Sequence, residues 1–114
     1  MTVRIDETTA YEPDALVYCG LKLPPGAIEV PNPIIVVEVL SPSTKNIDGS
    51  LKLAGYFRVP SVMHYLIVEP DQPLIIHHAR ATGGKILTSI AREGTITLDP
   101  PGLDVALGDI YGAE

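Results

Sequence analysis

The sequence predicts an α/β domain of the α+β kind, mainly strands with one principal helix, and three observations carry that expectation. Residues 34–40, Ile-Ile-Val-Val-Glu-Val-Leu, are a nearly continuous apolar, β-branched run, the signature of a strand buried on both faces. Leu51, Ala54 and Phe57 recur at helical spacing, and Pro60 stops that pattern. Eleven Pro and ten Gly among 114 residues imply short elements and frequent turns. The length suits one domain, 1–114, able to bury a single core.

Taken in order, residues 2–5 alternate and suggest a short strand. Residues 15–19, Ala-Leu-Val-Tyr-Cys, form a second, introduced by Pro13-Asp14. The Pro-rich stretch 23–33 reads as a loop leading into the 34–40 strand. Ser41-Pro42-Ser43-Thr44 breaks that strand, Ser43 or Thr44 caps a helix over 46–58, and Asp48 supports its first turn. Residues 62–68 read as a strand, 69–73 as a turn and 74–80 as the next strand. Gly83-Gly84 marks a hairpin to 85–91. A strand over 95–98 follows. Residues 103–107 end the core, and 107–111 form one helical turn. There is no internal repeat and no low-complexity tract.

The chain is 46% hydrophobic and 19% charged, a globular balance. With no Trp, one Phe and five Tyr, the core is expected to be built from Val, Ile, Leu and Ala. A net charge of −6 argues against a general nucleic-acid coat but leaves room for a local basic patch beside clustered carboxylates. Cys19, the single cysteine, cannot form an internal disulfide and reads as a buried thiol in a reducing, cytoplasmic setting. No segment approaches the roughly 18 apolar residues of a membrane span. The first residues lack the basic flank and apolar run of a signal peptide.

Glu38 is the oddest residue, a carboxylate inside a buried strand. An uncompensated charge there is very costly, so it needs a partner. A core ion pair with Arg or Lys is one solution, a solvent-facing strand end another. A divalent cation is a third, because Mg²⁺ takes hard oxygen ligands, commonly one or two carboxylates plus water and phosphate oxygens. Asp14 directly precedes an apolar strand, and neighbouring strands can set it beside Glu38. Its plainer role is a turn residue at a strand start. Asp48, Lys52 and Tyr56 stand at i, i+4 and i+8 and share one helix face. That face carries either a surface ion pair worth a few tenths of a kcal/mol or a lysine aimed at the carboxylates, where it would assist an attacking water.

Other candidates are weaker. His77 and His78 are adjacent on a strand, so their side chains point to opposite faces and suit packing or solvent roles. His64 begins a strand near these residues and could approach them. Lys45 and Arg58 flank the helix within reach of phosphates. Solvated surface is the default for both, and for Arg4, Lys22, Arg80, Lys85 and Arg92. Nucleophile elbow, Cys/His dyad, GxGxxG and Walker A loop are all missing.

Four segments together resemble a known family: Pro13-Asp14-Ala15-Leu16-Val17, then Val36-Val37-Glu38-Val39-Leu40-Ser41-Pro42-Ser43-Thr44, then Asp48, Lys52 and Tyr56, then His64-Tyr65-Leu66-Ile67-Val68-Glu69-Pro70. They are similar to the bacterial restriction endonuclease-like family, abundant in cyanobacteria, of the PD-(D/E)XK nuclease superfamily. The likeness runs from about Pro13 to Arg80 and continues more loosely to the C-terminus. It implies a restriction-endonuclease-like mixed sheet, N-terminally truncated relative to members with a longer leading region. It also implies Mg²⁺ (or Mn²⁺) held by Asp14, Glu38 and the backbone carbonyl of Val39. The superfamily lysine belongs two residues after Glu38, where Leu40 stands; in this family it matches Lys52 on the helix, with Asp48 and Tyr56 orienting it or lining the site. Glu69 replaces an Asp common in the family.

The resemblance implies a metal-dependent endonuclease hydrolysing DNA phosphodiester bonds, with Asp14, Glu38 and Lys52 catalytic. Two other readings stand beside it. One is an inactive, truncated nuclease fold serving as a dimeric binding or structural module. The other is a small β-rich ligand-binding domain in which Glu38 is a structural ion-pair member. A homodimer is expected because an incomplete sheet exposes apolar surface.

Overall fold

The computed structural model describes residues 1–18, 23, 25–40 and 49–112. The expectations for Cys19, Lys22, Lys45, Asp48 and the Ser43 or Thr44 cap lie outside the described residues.

The principal sheet is five-stranded, built from β3 (Ala15–Tyr18), β4 (Pro33–Val39), β5 (His64–Val68), β6 (Ile75–Arg80) and β7 (Ile86–Ala91), in that spatial order. β4 and β5 run parallel, and the other neighbours are antiparallel. A parallel pair needs a crossover. The chain between β4 and β5 contains α1 (Gly49–Phe57), the expected principal helix. Two smaller ribbons flank the sheet: β1 (Val3–Arg4) with β2 (Ala10–Tyr11), and β8 (Thr95–Leu98) with β9 (Leu103–Ala106). A short helix, α2 (Leu107–Tyr111), closes the described chain. Among the described residues no helix is long and apolar enough to cross a membrane.

The β-branched run works as its pattern demands. Ile35 joins one buried cluster with Leu66, Val68, Ile75, Ile96, Leu98 and Leu107, on the face covered by the β8–β9 ribbon. Its neighbour Val36 joins another, with Val3, Tyr56, Val62 and Tyr65, on the face covered by α1. Successive side chains enter opposite layers, so both parities must be apolar. Burying each such side chain contributes about 1.5–3 kcal/mol. The run emerges at its end, where Glu38 is partly buried and Val39 exposed.

Several expectations need correction. The core is not only aliphatic: Tyr56 and Tyr65 are buried in the cluster under α1, with Tyr11 packed against it. A tyrosine can be buried when its hydroxyl finds a partner, and that of Tyr56 does. The β1–β2 ribbon was not foreseen as a pair. Its turn is closed by Asp6, whose carboxylate accepts the Thr8 backbone N–H at 2.9 Å. That bond, first among the causes, holds the Asp6 carboxyl down at about 2. Residues 103–106 form not merely a core end but the second strand of a hairpin, β9.

Arg80 is not solvated surface. Its guanidinium donates to the carbonyls of Val62 at 2.8 Å, Phe57 at 2.9 Å and Val59 at 3.0 Å, and lies over the Phe57 ring. The last carbonyls of a helix lack intrahelical donors. A planar fork reaching from β6 satisfies such groups at the end of α1 and in the turn after it.

Candidate functional site

β3 and β4 pair with Ala15 opposite Val37 and Leu16 opposite Val36. Continued by one residue, that register sets Asp14 opposite Glu38, and opposed residues share a face. Leu16 and Val36 both pack in the cluster under α1, so this is the helix side. Asp14 also brackets Glu38 along the strand. Its N–H donates to the Val37 carbonyl at 2.9 Å, and its Oδ2 accepts the Val39 N–H at 2.7 Å.

Lys52 and Tyr56 lie one turn apart on α1, and both reach Glu38. The Lys52 Nζ stands 2.8 Å from Oε1, and the Tyr56 hydroxyl donates to Oε2 at 2.7 Å. The Glu38 side chain is 14% exposed and that of Lys52 30%. A cation and a neutral donor thus compensate a carboxylate that burial would otherwise disfavour. Burial first, then the hydrogen bond and the charge of Glu38, push the Tyr56 phenol far above its ordinary value. It therefore stays protonated and donates. Tyr65 is raised in the same sense, by burial and then by the Glu38 charge.

Tyr11 belongs to the same group and escaped sequence reasoning. Lys52 Nζ lies 5.8 Å from its ring centroid, within cation–π range, and its ring packs 5.1 Å from that of Tyr56. Gly55 makes room for it: a Cβ there would stand 2.7 Å from the Tyr11 ring. The available signal was the turn sequence Asp6-Glu7-Thr8-Thr9, which predicts a hairpin returning Tyr11 alongside residues 2–5.

Other candidates do not join the site. His64 lies on the far face, its Nδ1 2.9 Å from Nε2 of His77 and its Nε2 2.8 Å from the Pro100 carbonyl. His78 turns the other way, stacked on Tyr65 and 2.8 Å from the Thr88 hydroxyl. The adjacent histidines therefore do point to opposite faces. Arg58 pairs with Asp6 at 3.0 Å.

The donor set suits a small hard cation. Asp14 and Glu38 offer carboxylate oxygens, and each carboxylate has about four lone-pair sites, of which hydrogen bonds among the described residues use one and two respectively. Extended backbone directs N–H and C=O to the same edge of the strand, so the Val39 carbonyl leaves on the side where its N–H meets Asp14. Among the described residues no cluster of three or more His, Cys, Asp and Glu is present. Mg²⁺ is commonly held through one or two carboxylates with water and phosphate oxygens in the other positions, and Asp14 and Glu38 are the residues here that could supply the carboxylates.

The mixed sheet with its crossover helix defines a restriction-endonuclease-like α+β fold. Residues 1–108 match the Uma2 family model, described as "Putative restriction endonuclease", and the chain belongs to that family. The match takes in the β1–β2 ribbon as well as the motif segments. The chain is also similar to the Synechocystis sp. protein named "Uncharacterized protein slr1290", with 29% identity over 113 residues. That alignment covers 97% of this chain and 60% of the Synechocystis protein, so the chain spans about three fifths of that relative's length.

Proposed function

We propose that this chain carries the catalytic core of a Mg²⁺-dependent endonuclease that hydrolyses phosphodiester bonds in DNA, with Mn²⁺ able to substitute. The observation behind this reading is the meeting of Lys52 and Tyr56 on Glu38, at the strand end that Asp14 brackets. Asp14, Glu38 and the Val39 carbonyl would hold the metal. The bound ion supplies positive charge that eases ionisation of an attacking water and offsets charge on the phosphate. Lys52 adds a second cation beside the same oxygens, where it orients the water and stabilises the phosphate in the transition state. Tyr56 holds the Glu38 carboxylate in place, and Tyr11 restrains the lysine. The same reading puts the protein in the cytoplasm, where its substrate is, and makes it a homodimer.

A second reading has a specific observation in its favour. Both oxygens of Glu38 already have partners, as in a closed structural ion pair, and the net charge of −6 opposes DNA. In that reading the chain is an inactive dimeric module.

Calorimetric titration of Mn²⁺ into wild type and Glu38→Ala separates the two. The nuclease reading expects binding that the variant loses. Nicking of supercoiled plasmid should then fall by roughly 10²-fold or more in Lys52→Ala. Identical titrations for both proteins would leave the ion-pair reading standing.

A further inference from the structure

β7 is an edge strand, with β6 as its one strand partner among the described residues. Residues Ile86 to Ile90 are all exposed, and Leu87 and Ile90 are each 64% exposed. The strand, Ile-Leu-Thr-Ser-Ile-Ala, contains neither charge nor proline. Those are the devices that normally stop an edge from recruiting another chain. Charges stand only at its ends: Lys85 before it, Arg92 and Glu93 after it.

We infer that β7 pairs antiparallel with β7 of a second copy of this chain, joining two five-stranded sheets across a two-fold axis. The end charges select both the occupant and the register. Pairing centred on Ser89 sets Lys85 opposite the partner's Glu93. The neighbouring two-fold registers, centred on Thr88 or Ile90, set Lys85 opposite the partner's Ala91 or the partner's Thr95 and forgo that opposite-charge pair. The centred register also puts Leu87 opposite the partner's Ala91 and Ile90 opposite the partner's Thr88. Thr88 meets His78, which stacks on Tyr65 in the α1-side cluster, so the Ile90 contact lies on the helix side and the Leu87 contact on the other. Apolar surface is thereby covered on both faces. An isologous pair of this kind closes on itself, because both copies contribute the same edge. The inference rests on the homodimer part of the proposal above and not on its chemistry, because an inactive chain would pair in the same way.

Sedimentation equilibrium of the full chain over a concentration series tests it, with circular dichroism and melting as controls of folding. Wild type is expected to be dimeric. Leu87→Lys and Ile90→Lys, both at exposed positions, should give folded monomers. Lys85→Glu should weaken the dimer about tenfold, and Lys85→Glu with Glu93→Lys should restore it. A wild-type dimer left intact by both lysine variants would place the interface elsewhere and overturn the β7 assignment while sparing the homodimer. A monomeric wild type would overturn both and leave the edge to a different partner. Neither result bears on the metal titration.

Discussion

The Tyr56 hydroxyl donates to Oε2 of Glu38 at 2.7 Å from a side chain that solvent does not reach, beneath a helix whose other contribution to that carboxylate is Lys52. The two donors differ in burial, and their removal should differ in cost. Tyr56→Phe keeps the ring and strands a largely buried carboxylate oxygen, which should destabilise the fold by about 1–3 kcal/mol. Lys52→Ala removes a partly exposed partner and should cost no more than about 1 kcal/mol. Urea unfolding of the two variants compares them directly. Equal stability of Tyr56→Phe and wild type would show that the hydroxyl adds nothing.

Gly55 and Tyr11 form a second coupled pair. Alanine in a helix interior is normally better than glycine by about 1 kcal/mol. A methyl at this site would press on the Tyr11 ring, so Gly55→Ala alone should be neutral or destabilising. In a Tyr11→Ala background the same change should stabilise by about 1 kcal/mol. A denaturation cycle over the four proteins reads the coupling. Additive values would mean that the ring yields freely.

Arg80 ties β6 to the end of α1 through three carbonyls. Its loss strands buried acceptors, and Arg80→Ala should cost about 3 kcal/mol or more. Arg80→Lys preserves the charge but not the fork, and should recover less than half of that. A lysine variant that melts with wild type would make charge, not geometry, the operative property.

Acid sensitivity should come from the histidines before the carboxylates. All three are held below the ordinary value of 6.5, with burial the first cause in each case. The Pro100 carbonyl only accepts, so Nε2 of His64 carries the hydrogen. Its Nδ1 then accepts from Nε2 of His77, and a proton added to that Nδ1 would break this bond while leaving the one to Pro100 in place. The folded state thus favours neutral rings, and the unfolded chain binds protons first. The stability this contributes is complete above pH 6.5 and is lost as pH falls from there towards the depressed native values. Stability measured at pH 7.5 and 5.5 should fall, and His64→Gln should flatten the slope. A flat wild-type profile across that window would contradict the burial argument.

Much of this arrangement was legible in the sequence because it repeats a period. The 34–40 run fixed a central strand, and its parity set which residues share a face with Glu38. The i, i+4 spacing put Lys52 and Tyr56 on one side of the helix. What could not be read lacks a period. A two-residue strand carries no alternation, so β2 and Tyr11 stayed hidden, although the Asp6 turn was in plain view. Counting aromatics missed the buried tyrosines because burial of a phenol depends on a partner distant in sequence. Arg80 looked like surface for the same reason: its acceptors are backbone atoms of another element, and no residue type announces them.

Because β4 and β5 are parallel neighbours, the chain between them is obliged to pass over one face of the sheet, and it does so beside the end of β4. Lys52, seated on the underside of that bridge, reaches Glu38 without occupying the strand itself. Position 40 can therefore be aliphatic, as Leu40 is, while an amine still meets Glu38 from Lys52. In this architecture the chain's route, more than any fixed interval between letters, preserves the neighbourhood, and an interval-based search would pass over chains that keep it.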